Sequence, residues 1–215
     1  MQAIKNFFAE NKHMLAVLVV MAAYILILYY AFGIRPHAIE FSAAALGIIS
    51  LDLLRRQKSA GFVFGVLSCA LLICWFASID LYGQIAMRAV LLGTNLLGLY
   101  FWLRPRIQSG QELKPSWLSA QIRAPFLAIL AAVGAAIWAG DGFLSSLDWM
   151  SALVIIVGNI LLAKKKIDAW ILLLVGDGLL GIPLAVMSGS WMVLFMLCFL
   201  VIIEISSIIQ WRREK

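Results

Sequence analysis

The chain has 215 residues, of which 64% are hydrophobic and only 13% are charged, and its mean hydropathy is +0.99. A soluble domain of this length carries far more charge, so the composition excludes one and predicts a polytopic membrane protein. The net charge of +6 is explained by membrane topology rather than by nucleic-acid binding, because the basic residues fall in short segments between apolar runs.

Eight apolar runs are long enough to cross about 30 Å of hydrocarbon as helices. The first, of about 20 residues, exceeds the apolar core of a signal peptide and is followed by no small-residue cleavage pattern, so we expect a helix there too. The second and sixth are short and rely on Glu40, Asp52 and Asp148 lying at the interface. In chain order the runs cover residues 14–33, 38–54, 60–79, 82–103, 124–140, 146–163, 169–187 and 190–211.

The basic residues predict the orientation of these helices. With a cytoplasmic N-terminus, fifteen of the seventeen Lys and Arg residues lie in cytoplasmic segments, and only Arg35 and Arg88 do not. The positive-inside rule therefore places both termini in the cytoplasm, and omission of any one span would destroy the pattern. Aromatic residues near the ends of the runs suit an interfacial belt: Tyr29, Tyr30, Tyr82, Trp102, Trp138, Trp149, Trp191 and Trp211.

A weak internal repeat sets the predicted architecture. Displacing the chain by about 108 residues aligns LLRRQKSAGF, from Leu53, with LLAKKKIDAW, from Leu161. Three spans carry the chain to the opposite side of the membrane. Two such units therefore have the same orientation only if one more span, here the fifth at 124–140, joins them. At an offset one residue greater, further positions coincide: Asn95 with Glu204, and Trp102 with Trp211.

The sequence thus predicts an all-α fold of eight transmembrane helices, one N-terminal helix followed by a parallel 3+1+3 repeat. In this transporter design the substrate site lies near the bilayer midplane between the halves. The polar linker 104–123 is expected to lie on the membrane surface. The predicted units are an N-terminal helix at 1–36, a first repeat at 37–103, the cytoplasmic linker and linking helix at 104–145, and a second repeat at 146–215.

The sequence contains no pattern typical of an enzyme or a metal site. His13 and His37 are isolated, and the motifs HExxH, GxSxG and CxxC are absent. Cys69, Cys74 and Cys198 are scattered through apolar runs and are expected to be small buried hydrophobes. We therefore expect no catalytic activity, cofactor or metal.

Polar residues at bilayer depth mark the candidate site, because a charge in hydrocarbon costs about 2.5–3.5 kcal/mol and needs a partner or a function. Trp170 and Asp177 are seven residues apart, which puts them on one helix face with the acid roughly 10 Å deeper. Neighbouring glycines such as Gly176 and Gly178 loosen that helix.

Further polar residues accompany this pair. Arg88, Asn95 and Trp102 follow the same spacing on the fourth span, and Ser68 lies in the third. Glu204, about two turns from the cytoplasmic end of its span, is expected to reach water and is left out of the site.

Structural alternatives stand beside these assignments. Trp170 could be an interfacial anchor, and Asn95 could form an interhelical hydrogen bond. Asp177 and Arg88 could neutralise each other as a buried pair, which is compatible with both lining a cavity. A free Arg88 would instead favour a neutral or anionic ligand.

These residues resemble those of the Pnu-type vitamin transporters over about residues 44–213. The family pattern Trp-x-x-Trp-x-x-x-Asn or Asp is met by Trp170 and Asp177, with Leu173 in place of the second tryptophan. Arg88 stands where Asn or Gln is usual, and Ser68 where Asn is frequent. The other matching pieces are LGIIS from Leu46, FG from Phe64, LYG from Leu81, and NLLGLYFW from Asn95, which fits Asn-x-x-Gly-x-Tyr-x-Trp.

The resemblance implies a fold like that of the SWEET sugar transporters and facilitated diffusion of a vitamin precursor across a bacterial inner membrane. Nicotinamide riboside comes first, then thiamine, then riboflavin or a nucleoside, with a cytoplasmic kinase trapping the product. Trp170 would stack on the substrate ring and Asp177 would bind its polar groups, and Asn95, Arg88 and Ser68 complete the predicted substrate site. The sequence leaves open homo-oligomers, and also a non-transporting membrane subunit that keeps the repeat without the site.

Overall fold

The computed structural model describes residues 38–78, 82–109, 113–140, 143–187 and 191–214, with isolated positions between 19 and 30. The predicted first span at 14–33 lies, apart from those positions, outside the described residues, as do His13, His37 and Arg35.

The described part of the chain is helical. Within it, four helices are long and apolar enough to cross a membrane, namely Ile85–Pro105, Ser146–Ala163, Asp168–Met187 and Val193–Arg213, and Ala60–Trp75 is a shorter apolar helix. Helices are expected here because hydrocarbon offers the backbone no other hydrogen-bond partner. The helices are α1 (Ala38–Arg55), α2 (Ala60–Ser78), α3 (Tyr82–Ser109), α4 (Ala120–Gly140), α5 (Phe143–Ala163), α6 (Asp168–Met187) and α7 (Trp191–Arg213).

Their bounds agree closely with the predicted spans two to eight. The largest difference is in α3, which continues through Pro105 to Ser109, whereas the span was expected to end at 103. Asp52, which was expected at the interface, is buried but ion-paired near the end of α1, with Arg55 and Arg56 both at 2.7 Å. Asp148 is exposed near the start of α5.

Six of the described helices pack in a closed ring. Its order is α1, α2, α3, α5, α6, α7 and back to α1, whereas the backbone of α4 comes close only to that of α5 among the described helices. The ring therefore has two junctions between its halves, α3 with α5 and α7 with α1. In each junction the third helix of one half meets the first helix of the other.

Two short loops turn the chain on the basic side: the first loop, 56–59, and the second loop, 164–167. Gln57 and Lys165, 108 positions apart, both adopt a left-handed backbone with φ of 55° and 54°. The same Schellman pair of backbone hydrogen bonds ends the preceding helix in each case. These are Gln57 to Leu54, Lys58 to Leu53, Lys165 to Leu162 and Lys166 to Leu161, with N···O distances of 2.9–3.0 Å.

Each loop is covered by another part of the chain. The linker lies along the second loop, where the Ser116 backbone N–H donates to Lys165 O at 3.2 Å and the Ile167 N–H donates to Ser116 O at 3.0 Å. The end of α7 covers the first loop, and the Trp211 Nε1–H donates to Arg55 O at 2.8 Å. The described part of the linker is thus fixed to the protein.

Candidate functional site

Two layers of side chains fill the basic-side half of the ring. Four helices each carry an aromatic residue near a basic end and a polar residue seven positions deeper. All eight side chains are buried. The aromatic layer is Phe62, Trp102, Trp170 and Trp211, and the polar layer is Cys69, Asn95, Asp177 and Glu204, in the order α2, α3, α6 and α7.

The aromatic layer consists of two matching pairs. Phe62 and Trp102 meet edge to face with ring centroids 5.0 Å apart, and Trp170 and Trp211 do the same at 5.4 Å. Trp102 and Trp211 join the pairs at 6.0 Å. Edge-to-face contacts of this kind stabilise a core beyond simple burial. The layer closes the basic end of the ring.

This arrangement corrects two predictions about aromatic residues. Trp102 and Trp211 were assigned to an interfacial belt, but both are buried between the halves. The alternative assignment of Trp170 as an interfacial anchor is also wrong, since its ring is 0% exposed. The belt assignment fits Trp149 and Tyr30, which are exposed.

The indole nitrogens of the layer are unequally satisfied. Whereas Trp211 has its acceptor at the last residue of α1, the buried Nε1–H groups of Trp102 and Trp170 have none within the described residues. Lys165 places its ammonium 4.8 Å from the centroid of the Trp102 ring. A buried donor without an acceptor costs about 1–3 kcal/mol, which is tolerated where a ligand or water serves it.

Asp177 lies in an irregular part of α6. Residues Leu174–Gly181 form a π-helical segment between two α-helical ends. Such segments are rare in proteins as a whole, and those that do occur are often found at functional sites. Gly176 permits close packing, since a Cβ there would lie 2.7 Å from Ile155 Cγ1, and its carbonyl accepts a hydrogen bond from Ser151 Oγ at 3.1 Å. The predicted loosening around Asp177 takes this form.

Asp177 has a second acid as its immediate neighbour. The carboxyl groups of Asp177 and Glu204 lie beside each other, and the Arg88 guanidinium is within electrostatic reach of Asp177 and of the Cys69 thiol. None of the ion pairs within 4.0 Å that the described residues form joins Arg88 to Asp177. The polar layer and Arg88 thus combine two acids with one base.

Glu204 corrects another prediction. It was expected to reach water, but its side chain is 0% exposed, and no donor in the described residues reaches either carboxylate oxygen. Distance from a helix end predicts depth along the helix but not which face points inward. The internal repeat contained the missing signal, because it aligned Glu204 with Asn95, which was already assigned to the site.

Asn95 and Ser68 are buried in the first half of the ring. The Asn95 amide donates to Leu91 O in its own helix at 2.8 Å, and its Oδ1 lies 2.3 Å from where a Cβ on Gly65 would be. The Ser68 hydroxyl donates to Ala43 O at 2.7 Å and so links α2 to α1.

The cysteines differ from one another. Cys69 is buried near Arg88, as expected of a small core residue. Cys74 and Cys198 are exposed on the protein surface, which corrects their expected burial, because their apolar runs face outward at those positions.

A helical ring that encloses acids, a base and unpaired donors defines a multi-pass membrane protein with a polar site between two halves, the arrangement of a transporter. The family model described as nicotinamide mononucleotide transporter matches residues 37–213, and the chain belongs to that family. Proteins of this family are transporters rather than enzymes, as expected from the missing catalytic motifs.

Two curated relatives match a shorter stretch. The nicotinamide riboside transporters PnuC of Escherichia coli and of Shigella flexneri are each 28% identical over 91 residues, which is 42% of this chain. The match spans 38% of the length of each relative. The crystal structure of the vitamin B3 transporter PnuC shares the fold, with a TM-score of 0.71 over 94% of this chain and 91% of that one, at 16% identity.

Proposed function

We propose that the chain is a facilitator for nicotinamide riboside and that the polar layer is its binding site. The observation that carries the proposal is the pair of buried neighbouring acids, Asp177 and Glu204, with Arg88 as the base within electrostatic reach among the described residues. Two carboxyl groups this close in a buried site share one proton, because like charges side by side do not both ionise. A cationic ligand would add a second positive charge beside that of Arg88 and so allow both acids to ionise. The pyridinium ring of nicotinamide riboside carries one positive charge and a flat aromatic face.

The unpaired groups support the same ligand. Among the described residues no donor reaches either oxygen of Glu204, and a riboside supplies several hydroxyl donors. The buried Nε1–H of Trp170 likewise has no acceptor in that part of the chain. In this proposal Trp170 contacts the pyridinium ring, Asp177 and Asn95 bind its polar groups, Arg88 holds Asp177 in place, and Ser68 fixes α2 against α1.

Charge also separates the candidate substrates. Nicotinamide mononucleotide adds a phosphate, which two neighbouring carboxylates would repel. Riboflavin and most nucleosides are neutral and would leave the excess acid unpaired. Thiamine, with its cationic thiazolium ring, is the second candidate for the same reason.

The architecture that accompanies this function is an eight-helix inner-membrane protein with a parallel 3+1+3 repeat and cytoplasmic termini. The recurrence of the Schellman motif, the edge-to-face pair and the ring junctions in both halves supports the repeat. Transport follows the concentration gradient, and a cytoplasmic kinase retains the product.

Uptake into proteoliposomes tests the substrate. We expect uptake of nicotinamide riboside and, more weakly, thiamine, with little uptake of nicotinamide mononucleotide or riboflavin. Asp177→Asn should lower nicotinamide riboside uptake at least about tenfold, since a charge-assisted contact is worth about 1.5–3 kcal/mol. The matched control is Asp148→Asn, which removes an exposed acid. Equal uptake of riboflavin, or an unaffected Asp177→Asn, would contradict the proposal.

Ligand binding can be followed separately through tryptophan fluorescence. Nicotinamide riboside should quench the wild-type protein, and Trp170→Phe should remove much of the quenching. Trp149→Phe, at an exposed ring, is the control. If no candidate ligand changes the fluorescence of the folded protein, the non-transporting membrane subunit becomes the better interpretation.

A further inference from the structure

A cavity lies outside the helical ring, on the side of the basic loops. It encloses about 300 Å³ and forms where the linker, the first turn of α4, the start of α6 and the end of α7 meet. Trp117 and Leu118 of the linker line it and pack from outside against the core that contains the aromatic layer. This cavity shares no residue with the polar layer, so an inference drawn from it is independent of the proposed substrate.

Two arginines hold positive charge at this cavity. The guanidinium carbons of Arg123 and Arg212 lie 5.1 and 5.2 Å from the centroid of the Trp117 ring. Contact with an indole ring holds a guanidinium in place while leaving N–H donors free. The cavity therefore presents two fixed cations beside one aromatic ring.

Among the described residues that line the cavity, Asp168 is the only acid, and its oxygens are already in use. Asp168 Oδ1 lies 2.9 Å from Arg123 Nε, and its Oδ2 accepts the Leu118 backbone N–H at 2.6 Å. Arg212 has neither an acid nor a hydrogen-bond acceptor within the part of the chain that the structure describes. One positive charge is thus left uncompensated, with donors facing an open cavity.

The remaining walls are apolar and lead toward the bilayer. Leu127 lies about two turns into α4, and Ile171 lies in the first turn of α6, with 47% and 37% of their surfaces exposed. Both helices run from this end into the hydrocarbon. A ligand that fits both parts needs an anionic group at the arginines and an apolar part along these side chains.

We propose that this cavity binds an anionic phospholipid of the leaflet that faces the basic loops. Its phosphate would accept hydrogen bonds from Arg212 and from the free donors of Arg123, and its acyl chains would lie along Leu127 and Ile171. Basic pockets between transmembrane helices bind anionic headgroups in this way. A free phosphate would satisfy the arginines but leave the apolar walls unused, so the lipid is the better match.

Native mass spectrometry of the purified full chain tests this site. We expect phosphatidylglycerol to be retained at least about fivefold more than phosphatidylcholine of the same chain length. Arg212→Gln should reduce phosphatidylglycerol retention to the phosphatidylcholine level. Arg213→Gln, which removes the neighbouring exposed charge outside the cavity, is the matched control. Equal retention of the two lipids, or equal effects of the two variants, would overturn the proposal.

A second variant separates a shaped site from simple charge attraction. Leu127→Trp fills the crevice and keeps every charge, so it should also lower phosphatidylglycerol retention severalfold, with the melting temperature in detergent checking that the variant folds. An unchanged retention would count against the site. Inorganic phosphate provides the remaining comparison: if phosphate alone raised the melting temperature as much as phosphatidylglycerol does, the cavity would be an anion site and the lipid proposal would fail.

Discussion

The carboxyl group of Glu204 has an unfavourable environment for stability, because it is enclosed beside a second acid and lacks a donor. Glu204→Gln removes the cost of burying a second ionisable carboxyl group beside Asp177 and adds an N–H₂ group that can donate to Asp177. We expect it to stabilise the fold by about 1–3 kcal/mol, seen as a higher melting temperature in detergent.

The matched control for this substitution is Asp148→Asn, an equivalent change at an exposed acid, which should leave the melting temperature unchanged. A lower melting temperature for Glu204→Gln would show that the negative charge of Glu204 is structurally required. If the polar layer also binds a cationic substrate, the same variant should gain stability while losing uptake.

Trp211 joins the aromatic layer to the end of α1. Trp211→Phe keeps an aromatic ring but removes the Nε1–H bond to Arg55 O, so we expect a loss of about 1 kcal/mol in the free energy of unfolding. Trp149→Phe, at an exposed ring, is the comparison and should change stability little. Equal melting temperatures for the two variants would mean that the hydrogen bond contributes nothing net.

For single residues, the sequence predicted which polar side chains lie deep within the helices. It did not predict which neighbouring side chains they contact. Asp177, Asn95 and Ser68 are all buried in the structure. Burial is what we expect of polar side chains within an apolar run, because the surrounding lipid cannot solvate them. The direction of Glu204, Trp102 and Trp211 depends on where the opposite half of the ring lies, and a single helix contains no information on that. Only the alignment of the two halves, which pairs Asn95 with Glu204, bears on it.

The π-helical segment of α6 depends on close packing against α5. Gly176→Ala would place a methyl group 2.7 Å from Ile155 Cγ1, so we expect a loss of about 1–3 kcal/mol in stability and a disturbed position of Asp177. Gly93→Ala is the control within α3, where nothing lies within 4 Å of the added carbon.

Helix propensity alone would make either alanine neutral or stabilising by up to about 1 kcal/mol, and we expect that result for Gly93→Ala. Thermal unfolding in detergent measures both variants. An equally stable Gly176→Ala would mean that the segment can return to regular α-helix without cost.

Element positions followed closely from the sequence because the thickness of the hydrocarbon fixes the length of a helix. The described helices agree with the predicted spans for that reason, and the basic loops marked the turns. The π-helical segment of α6 could not be predicted from the sequence. The glycines around Asp177 indicate a loosened helix, but they do not indicate which hydrogen bonds replace the regular ones. The extension of α3 to Ser109 was missed because its last turns are polar and leave the apolar run.

The orientation of the whole molecule gives a direct test of the proposed eight-helix topology. In a variant with Cys69, Cys74 and Cys198 replaced, single cysteines at Lys58 and Lys164 should react with a membrane-impermeant maleimide only after the cells are lysed. Both positions are exposed in basic loops, which are expected in the cytoplasm.

The opposite face supplies the control. A cysteine at Asp148, exposed near the other end of α5, should react in intact spheroplasts. Labelling of Lys58→Cys and Lys164→Cys from opposite sides would rule out parallel repeats. Labelling of both from outside would invert the proposed orientation.

The junction of α7 with α1 determines when the molecule is complete during synthesis. Arg55 leaves the ribosome long before Trp211, and the bond between them closes the ring. Until then Asp177 resides in the membrane without Glu204 beside it, and the first loop has no cover. Assembly of the ring is therefore expected to be committed only after α7 has been translated, so that chains released before α7 should be recognised by proteases.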